Sequence, residues 1–531
     1  MSGARFKVLV TDKVAGPALG ALKDDKRFEV VLVDDSKDPK FLQELATAHG
    51  LIVRSATKVK ADMLAKAPAL RVIGRAGVGV DNIDLVAATE RGVAVLNAPA
   101  GNTVSAAELT MALILSMVRR VAEADAAMRK GTWSKLQGVE LRGRTLGLVG
   151  AGRIGGEVAK RCRAFGMDVI AYDPYLTDER AAELGAKRAT LEEVLEQGDV
   201  ISLHVPLTDA TKNMISTDAL AKMKKGSFLV NVARGGVVDE AALAKALESK
   251  HLAGAALDVY VNEPLEKESP LLNAPNILLT PHLGASTSEA QDLVASEIAE
   301  GVRRALADGD LTTALNAPAI GGEALRKLTP LLELGRALGY LGCALAPGAV
   351  QAVEVRYSGD SDEALKPLTA YVLIGLLEQV LGRDQVNFVS AGHLATQRGI
   401  RVARTQLSQK SDYTEHLELI LQAERGELRL SGALLGDAHP RIVQIDDYRV
   451  NIVPGGVLIV MKNHDVPGVI GRVGTLLGNF KINIAEYQQA RLSKGGQALA
   501  AVSVDGDVGE SVREALLQLP EVSSAVVVRL S

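Results

Sequence analysis

Short apolar runs and helical repeats alternate along the first third of the chain. Phe6 to Thr11, Glu29 to Val33, Leu51 to Val53 and Val72 to Gly74 predict strands, and Pro39 to Ala48 and Lys60 to Ala67 predict helices between them. This alternation predicts a parallel sheet with right-handed crossovers. Ala106 to Lys130 has few breakers and repeated Ala, Leu and Met, and predicts one long helix. A second series begins at Thr145. Its apolar runs are Leu146 to Val149, Val169 to Tyr172, Val200 to His204, Ser227 to Asn231, Gly254 to Val259 and Ile277 to Thr280, with helices such as Leu191 to Gln197 and Glu240 to Ser249 between them. Another long helix, Ser286 to Ala307, is placed to cross back to the first third, which makes the second unit an insertion in the first.

Ala317 to Glu323 reads as a linker. Helices at about Leu325 to Leu345 and Glu363 to Leu381 then flank alternating strands such as Ala352 to Tyr357. After Pro454-Gly455-Gly456 the tail reads βαββαβ: a strand at Val457 to Met461, a helix at Pro467 to Phe480, strands at Asn483 to Ala490 and Ala498 to Val504, a helix at Glu510 to Gln518 and a strand at Ser524 to Leu530. The expected fold class is α/β. Two doubly wound α/β domains, a Rossmann-type domain inserted in a flavodoxin-like one, precede an α+β domain and a ferredoxin-like βαββαβ domain.

Composition narrows the classes of function. A chain of 531 residues is expected to hold several domains. Its formal net charge of −4 argues against a nucleic-acid partner. Two cysteines, Cys162 and Cys343, give neither a disulfide framework nor a metal cluster, and fit a reducing, cytoplasmic setting. Arg5 to Val10 lacks the core of a signal peptide, and no run reaches the length of a membrane span. Tyr371 to Leu381 comes nearest, but Glu378 and Gln379 interrupt it. Neither a membrane nor a metal is therefore expected.

Candidate chemistry starts at Gly150-Ala151-Gly152-Arg153-Ile154-Gly155, which lies between a strand and a helix expected at Glu157 to Phe165. Gly150 permits the turn, Gly152 lets backbone approach a pyrophosphate, and Gly155 lets helix pack on strand. The helix N-terminus offers free N–H groups to the anion. Asp173 ends the next strand. Its carboxylate can accept from a ribose 2′-hydroxyl and would repel a 2′-phosphate, which favours NAD over NADP.

Three further segments follow strands of the same series: Asn231 to Gly236, Asp258 to Pro264 and Pro281 to Thr287. Ligands of open α/β sheets gather at such ends. Oxidation of a 2-hydroxy acid needs a cation for the carboxylate and a base for the hydroxyl proton. Arg234 supplies a planar fork, His282 a base near neutral pH, and Glu263 a carboxylate that orients the imidazole.

With these residues in place, residues 5 to 317 resemble the D-isomer-specific 2-hydroxyacid dehydrogenase family. The resemblance rests on the glycine motif, Asp173, the Asn231 to Gly236 run, Asp258, Glu263 and the Pro281 to Ser286 run. It implies that Arg153, Ile154, Val205, Val232, Ala233, Asp258, Gly284 and Ala285 line the cofactor beside Gly150, Gly152, Gly155, Asp173, Arg234 and His282. Formate dehydrogenases of the family carry Gln where this chain has Glu263. The implied domains are substrate-binding (1–98 and, by a return helix, 290–318), NAD-binding (99–289), intervening regulatory (319–453) and a last domain (454–531).

Arg54-Ser55-Ala56-Thr57 and Gly74 to Asn82 place Arg54 and Arg75 on neighbouring loops, with Gly77 and Gly79 leaving room for backbone N–H groups to approach a carboxylate. Cations beyond Arg234 suit a second anionic group such as phosphate, although arginines can also be merely solvated. The loops are similar to those of the 3-phosphoglycerate dehydrogenases, which implies 3-phosphoglycerate as substrate and substrate contacts at Arg54, Ser55, Arg75, Gly77, Asn102, Arg234 and His282. Thr103 matches the same cleft loop, and Lys135, near the single tryptophan Trp133, is implied to reach a neighbouring subunit. The tail, with Lys462 to Ile470 joining strand to helix, resembles an ACT domain. That implies L-serine bound at Asn463, Asp465 and Asn483, or a module that only holds subunits together. Residues 322–453 resemble the intervening domain of the longer members, where Arg398, Arg401, Arg404 and Lys410 form either an anion site or a solvated face. A homo-oligomer, dimer or tetramer, is expected from the apolar helices after Ser105. Two other readings stay open: a reductase of glyoxylate, hydroxypyruvate or 2-oxoglutarate, and an NAD-sensing interaction protein on the same scaffold.

Overall fold

The computed structural model describes residues 5–14, 16–359, 361, 363–407, 413–436 and 438–530. Four sheets carry the chain. The first is parallel and five-stranded, in the order Phe28–Leu32, Phe6–Val10, Gly50–Val53, Val72–Arg75, Ala94–Asn97. This is the flavodoxin-like order 2-1-3-4-5. Its strands read as unbroken apolar runs because both faces are covered. The last strand, Ala94–Asn97, was not read from the sequence.

The second sheet is parallel and seven-stranded. Thr145–Val149 lies at its centre, with Asp168–Tyr172 and Lys187–Arg188 on one side and Val200–Leu203, Phe228–Asn231, Gly254–Leu257 and Ile277–Leu279 on the other. The winding reverses between Thr145–Val149 and Val200–Leu203, and a ligand cleft opens at such a switch point. The long helix expected from Ala106 to Lys130 is broken into Thr103–Val118 and Val121–Arg129, with Arg120 in the left-handed region at φ 54°. Packing accounts for the break. The first helix buries Ala107, Thr110, Met111, Ile114 and Val118, whereas the second buries nothing. Where contact ends, the Val118 carbonyl accepts from Val139 N at 3.0 Å.

Helix Ser288–Asp308 leaves the seven-stranded sheet and packs on the five-stranded one, with Ile298, Val302 and Leu306 in that core. It lies so close that a Cβ at Gly74 would be 2.7 Å from Val302 Cγ2 and 2.8 Å from Ile298 Cγ1.

The C-terminal half shares a third core. Helices Gly322–Leu345 and Leu365–Leu381 cover a six-stranded, mostly antiparallel sheet formed by Val350–Ser358, Arg401–Gln406, His416–Ala423, Gly426–Leu435, His439–Ile445 and Tyr448–Ile452. A Cβ at Gly339 would overlap the Val372 carbonyl oxygen, and one at Gly375 the Arg336 carbonyl oxygen, so these helices cross backbone to backbone. Glu378, which interrupts the apolar run of the second helix, is buried and paired: its Oε2 lies 2.7 Å from Arg336 Nη2. The tail forms the ferredoxin-like sheet Asn483–Arg491, Gln497–Asp505, Gly456–His464, Val522–Leu530. Ile459, Met461 and Val502 pack under its own helices, while Leu458, Val460 and Ala501 join the core of the preceding unit. Helix Ala391–Gln397 meets the five-stranded lobe: Gln397 Nε2 donates to Glu90 Oε1 at 2.7 Å and Asn387 Nδ2 to the Gly92 carbonyl at 2.9 Å.

Gly339→Ala should lower stability by about 1–3 kcal/mol, because a methyl cannot enter a backbone-to-backbone crossing without moving it. Gly392→Ala, in the first turn of helix Ala391–Gln397 with open space around it, should be neutral or slightly stabilising. Denaturant unfolding followed by circular dichroism compares the two.

Candidate active site

The glycine loop opens from strand Thr145–Val149 into helix Arg153–Ala164. Gly150 has φ 96°, and a Cβ there would be 2.5 Å from the His204 carbonyl oxygen. Gly155 lies against the Gly150 carbonyl with no room for a side chain, while Gly152 faces open space. Gly152 is also the N-cap, and no side chain caps this helix, so its first N–H groups stay available. Asp173 steadies the loop: Oδ2 accepts from Ala151 N at 3.0 Å and Oδ1 from Tyr175 N at 2.9 Å. The loop, its uncapped helix and the carboxylate beside it fit a dinucleotide. Arg153 is exposed at the helix start, Ile154 packs inward, and Val205 borders Gly150. His204, which motif reading passed over, shares a 2.8 Å hydrogen bond with Ser202 Oγ. Desolvation pushes its imidazole down to about 4, so it sits neutral at the switch point.

Arg234, Glu263 and His282 come from the ends of three neighbouring strands. The Asn231 side chain shapes the first loop, accepting from Ala233 N at 3.0 Å and donating to the Arg234 carbonyl at 2.9 Å. Buried Val232 borders Gly284. Glu263 Oε2 lies 2.7 Å from His282 Nδ1, and Oε1 accepts from Tyr260 N at 3.1 Å. Burial alone would raise the Glu263 carboxyl. The His282 hydrogen bond and charge, the Tyr260 amide and nearby Arg234 outweigh it and hold the group below the usual carboxylate range. His282 has φ 55°, in the left-handed region.

The sequence reading placed Asp258 against the cofactor; what the structure shows is its hold on a loop. Its fully buried carboxylate accepts from Thr280 Oγ1 at 2.6 Å, Leu283 N at 2.7 Å and Gly284 N at 2.9 Å. It therefore fixes the loop that carries His282.

The substrate-side loops face these residues. Arg75 folds over Gly77, where any side chain would collide with it. Burial pushes the Arg75 guanidinium down to about 10, helped by the charges of Arg234 and Arg54 and opposed by those of Asp81 and Asp12. Arg75 Nε and Asn102 Oδ1 are buried without a hydrogen-bond partner. Arg54 and Gly77 line a groove with Ala285 and Gln291, and Ser55 is exposed at its loop. Asp12 holds this loop by accepting from Arg54 N at 2.8 Å and Thr57 Oγ1 at 2.6 Å. Asn82 bridges it, donating to the Arg54 and Thr57 carbonyls, both at 2.7 Å. Asp12, Asp81 and Asn82 were not singled out from sequence. Asp81 and Asn82 stood in the run that follows the strand carrying Arg75, whereas Asp12 follows a strand that carried no candidate.

Other expected site residues lie elsewhere. Lys135 and the strongly exposed Trp133 are on an irregular segment between helix Val121–Arg129 and strand Thr145–Val149. Asn463 and Asp465 lie at one end of the tail sheet. Asp465 meets Arg491 Nη1 at 2.9 Å, which is the main cause of its lowered carboxyl. Asn483 lies at the opposite end, donating to Asp505 Oδ2 at 2.6 Å. Arg398, Arg401 and Arg404 lie at and after the end of helix Ala391–Gln397, and Lys410 falls outside the described residues.

Known proteins match this architecture. Residues 111–284 match the NAD-binding domain of the D-isomer specific 2-hydroxyacid dehydrogenases. A solved D-lactate dehydrogenase from Aquifex aeolicus, complexed with NAD and lactic acid, is 32% identical and covers 59% of this chain and 100% of its own, with a TM-score of 0.52. A glyoxylate reductase from Paecilomyes thermophila is 32% identical over 59% of this chain and 98% of its own, with a TM-score of 0.54. Fold and site thus define an NAD-dependent D-2-hydroxyacid dehydrogenase. Residues 327–446 match the D-3-phosphoglycerate dehydrogenase intervening domain, and residues 457–521 the ACT domain. The D-3-phosphoglycerate dehydrogenase of Bacillus subtilis is 40% identical over 99% of this chain and 100% of its own length. That of Methanocaldococcus jannaschii is 39% identical over the same shares. The chain belongs to the D-3-phosphoglycerate dehydrogenase family.

Asp258→Asn keeps one acceptor oxygen but turns an amide N–H toward a backbone donor. The loss should be about 1–3 kcal/mol, with faster hydrogen exchange at Leu283 and Gly284 than in the parent. The Glu263–His282 pair gives a pH prediction. A lowered carboxyl stabilises the fold above its unfolded pKa and loses that contribution as pH falls through the folded value. The stability gap between the parent and Glu263→Gln should therefore be full at neutral pH and close below the ordinary carboxylate range, as read by urea unfolding across pH.

Proposed function

We propose that the chain oxidises 3-phospho-D-glycerate at C2 to 3-phosphooxypyruvate, in the first step of L-serine synthesis. The observation that carries this is the cluster of three guanidinium groups, Arg54, Arg75 and Arg234, whose charges act on one another, with Arg54 lining the groove. Arg75 is desolvated beside two like charges, an arrangement that a ligand with two anionic ends relieves. A pKa of about 10 still leaves it charged at neutral pH.

Arg234 holds the substrate carboxylate and the developing carbonyl oxygen, while Arg54 and Arg75 take the phosphate. His282 accepts the hydroxyl proton. Its Nδ1 faces Glu263, so the other ring nitrogen is the one that meets substrate. Glu263 fixes the ring and stabilises the imidazolium that forms. Bound NAD supplies the acceptor for the hydride from C2. Gly152 and the uncapped helix start take its pyrophosphate and Asp173 its adenosine ribose.

The ACT domain supports a small-molecule effector, and we propose L-serine. Asn463 and Asp465 are separated from Asn483 by a strand of about 25 Å at ~3.3 Å per residue. A molecule of serine's size cannot span that distance, so the effector site is completed by a second copy of the chain.

A substrate panel followed by NADH absorbance, with and without L-serine, tests both statements. Turnover should prefer 3-phosphoglycerate over hydroxy acids with uncharged tails, and serine should lower it. No turnover with 3-phosphoglycerate or 3-phosphooxypyruvate sinks the first statement, and no response to serine sinks the second alone. His282→Ala should cost about 10²–10⁴-fold in kcat while the fluorescence titration with NADH stays unchanged.

A further inference from the structure

Arg234 is exposed to a problem that its own loop does not solve. A guanidinium at the end of a long side chain samples many rotamers, yet bidentate capture of a carboxylate needs one plane. Within its loop the only fixed contact is Nη1 donating to the neighbouring Ala233 carbonyl at 2.6 Å. The remaining restraints come from the opposite lobe. Gly79 has no room for a side chain because Arg234 Nη2 occupies that space. Asp81 Oδ2 lies 3.1 Å from Arg234 Nε.

We propose that Asp81 is a positioning residue that sets the plane of the Arg234 guanidinium across the cleft. The inference rests on Arg234 being the carboxylate clamp.

Three observations support it. First, the backbone that carries Asp81 is fixed. The next residue, Asn82, is buried and tied to the 54–57 loop by two hydrogen bonds, and Asp84 caps the following helix, accepting from Ala87 N at 3.0 Å. Second, the two contacts fall on different atoms of the fork: Asp81 Oδ2 forms an ion pair 3.1 Å from Nε, while the Ala233 carbonyl accepts from Nη1. Third, the Asp81 side chain is 69% exposed and that of Arg234 26%. An ion pair so hydrated contributes little to stability. Its effect is orientational, and it also places one anion among three arginines whose charges oppose one another.

The two roles of Asp81 pull on different kinetic constants. Loss of orientation misplaces a group that meets the transition state and lowers kcat. Loss of an anion beside an anionic substrate lowers KM or leaves it unchanged. A side chain that merely held the fold would lower the melting temperature and raise KM together.

Steady-state kinetics on full-length Asp81→Asn and Asp81→Glu test this, with melting temperature and NADH affinity measured in parallel. Asp81→Asn is expected to lower kcat about tenfold, a loss smaller than that for a full ångström of misplacement. Its KM for 3-phosphoglycerate should be equal or lower, and NADH affinity unchanged. Asp81→Glu should recover part of kcat. A parental kcat in Asp81→Asn overturns the proposal. If Asp81→Asn also melts early, the glutamate variant decides: recovery supports positioning, and none overturns it. Should the parent turn over a different hydroxy acid instead, the substrate assignment fails while the Asp81 comparison is read on that substrate.

Discussion

Helix Ser288–Asp308 has to lie almost in contact with the backbone of strand Val72–Arg75, and Gly74 makes that possible. The helix starts six residues after His282, and the strand ends in Arg75. Its docking therefore sets the distance between the base and the cation cluster. A larger residue at Gly74 would lift the helix off the sheet and widen the cleft, because close-packed interiors transmit such displacements. The chain passes between the two parallel sheets at residues 98–102 and again through this helix, and the helix supplies the packed contact.

Within that frame the site is held by carboxylates that do no chemistry. Asp258 ties down the 280–284 loop, Asp173 the glycine loop, and Asp12 the Arg54 loop. Each accepts backbone N–H groups that a tight loop leaves unpaired, which is the need that buried loops must meet. The outward-facing groups, Arg234, His282 and Arg75, then point into the cleft from backbones that cannot drift. The left-handed conformation of His282 is held in the same way, with its own N–H donating to the Asp258 carbonyl at 2.9 Å.

Much of this was legible in the sequence. The parallel sheets and the βαββαβ tail followed from period and spacing, since buried strands and amphipathic helices leave unmistakable patterns. The glycine motif and the Arg, Glu, His set followed from residue types that the chemistry requires. Other features were hidden. The break at Arg120 depends on where packing against the sheet stops, which no local preference encodes. The antiparallel strands after Arg401 were not read from the sequence, although Glu418, Arg429 and Gln444 alternate there with apolar residues. Asp81 and Asp12 look like ordinary loop acids until the loops come together. Asn483, grouped with Asn463 by family likeness, lies at the far end of the sheet, a separation that register determines and composition does not.

The hydrogen bonds from Asn387 and Gln397 to Gly92 and Glu90 fasten the C-terminal half to the five-stranded lobe. The grip falls on helix Leu85–Glu90, whose first turn follows directly on Asp81 and Asn82. The six-stranded and tail sheets thus act as a lever arm clamped to one jaw of a pair of pliers. A force applied to the tail would therefore be felt first on the side of the cleft that carries Arg54 and Arg75, and only through it on the side that carries His282.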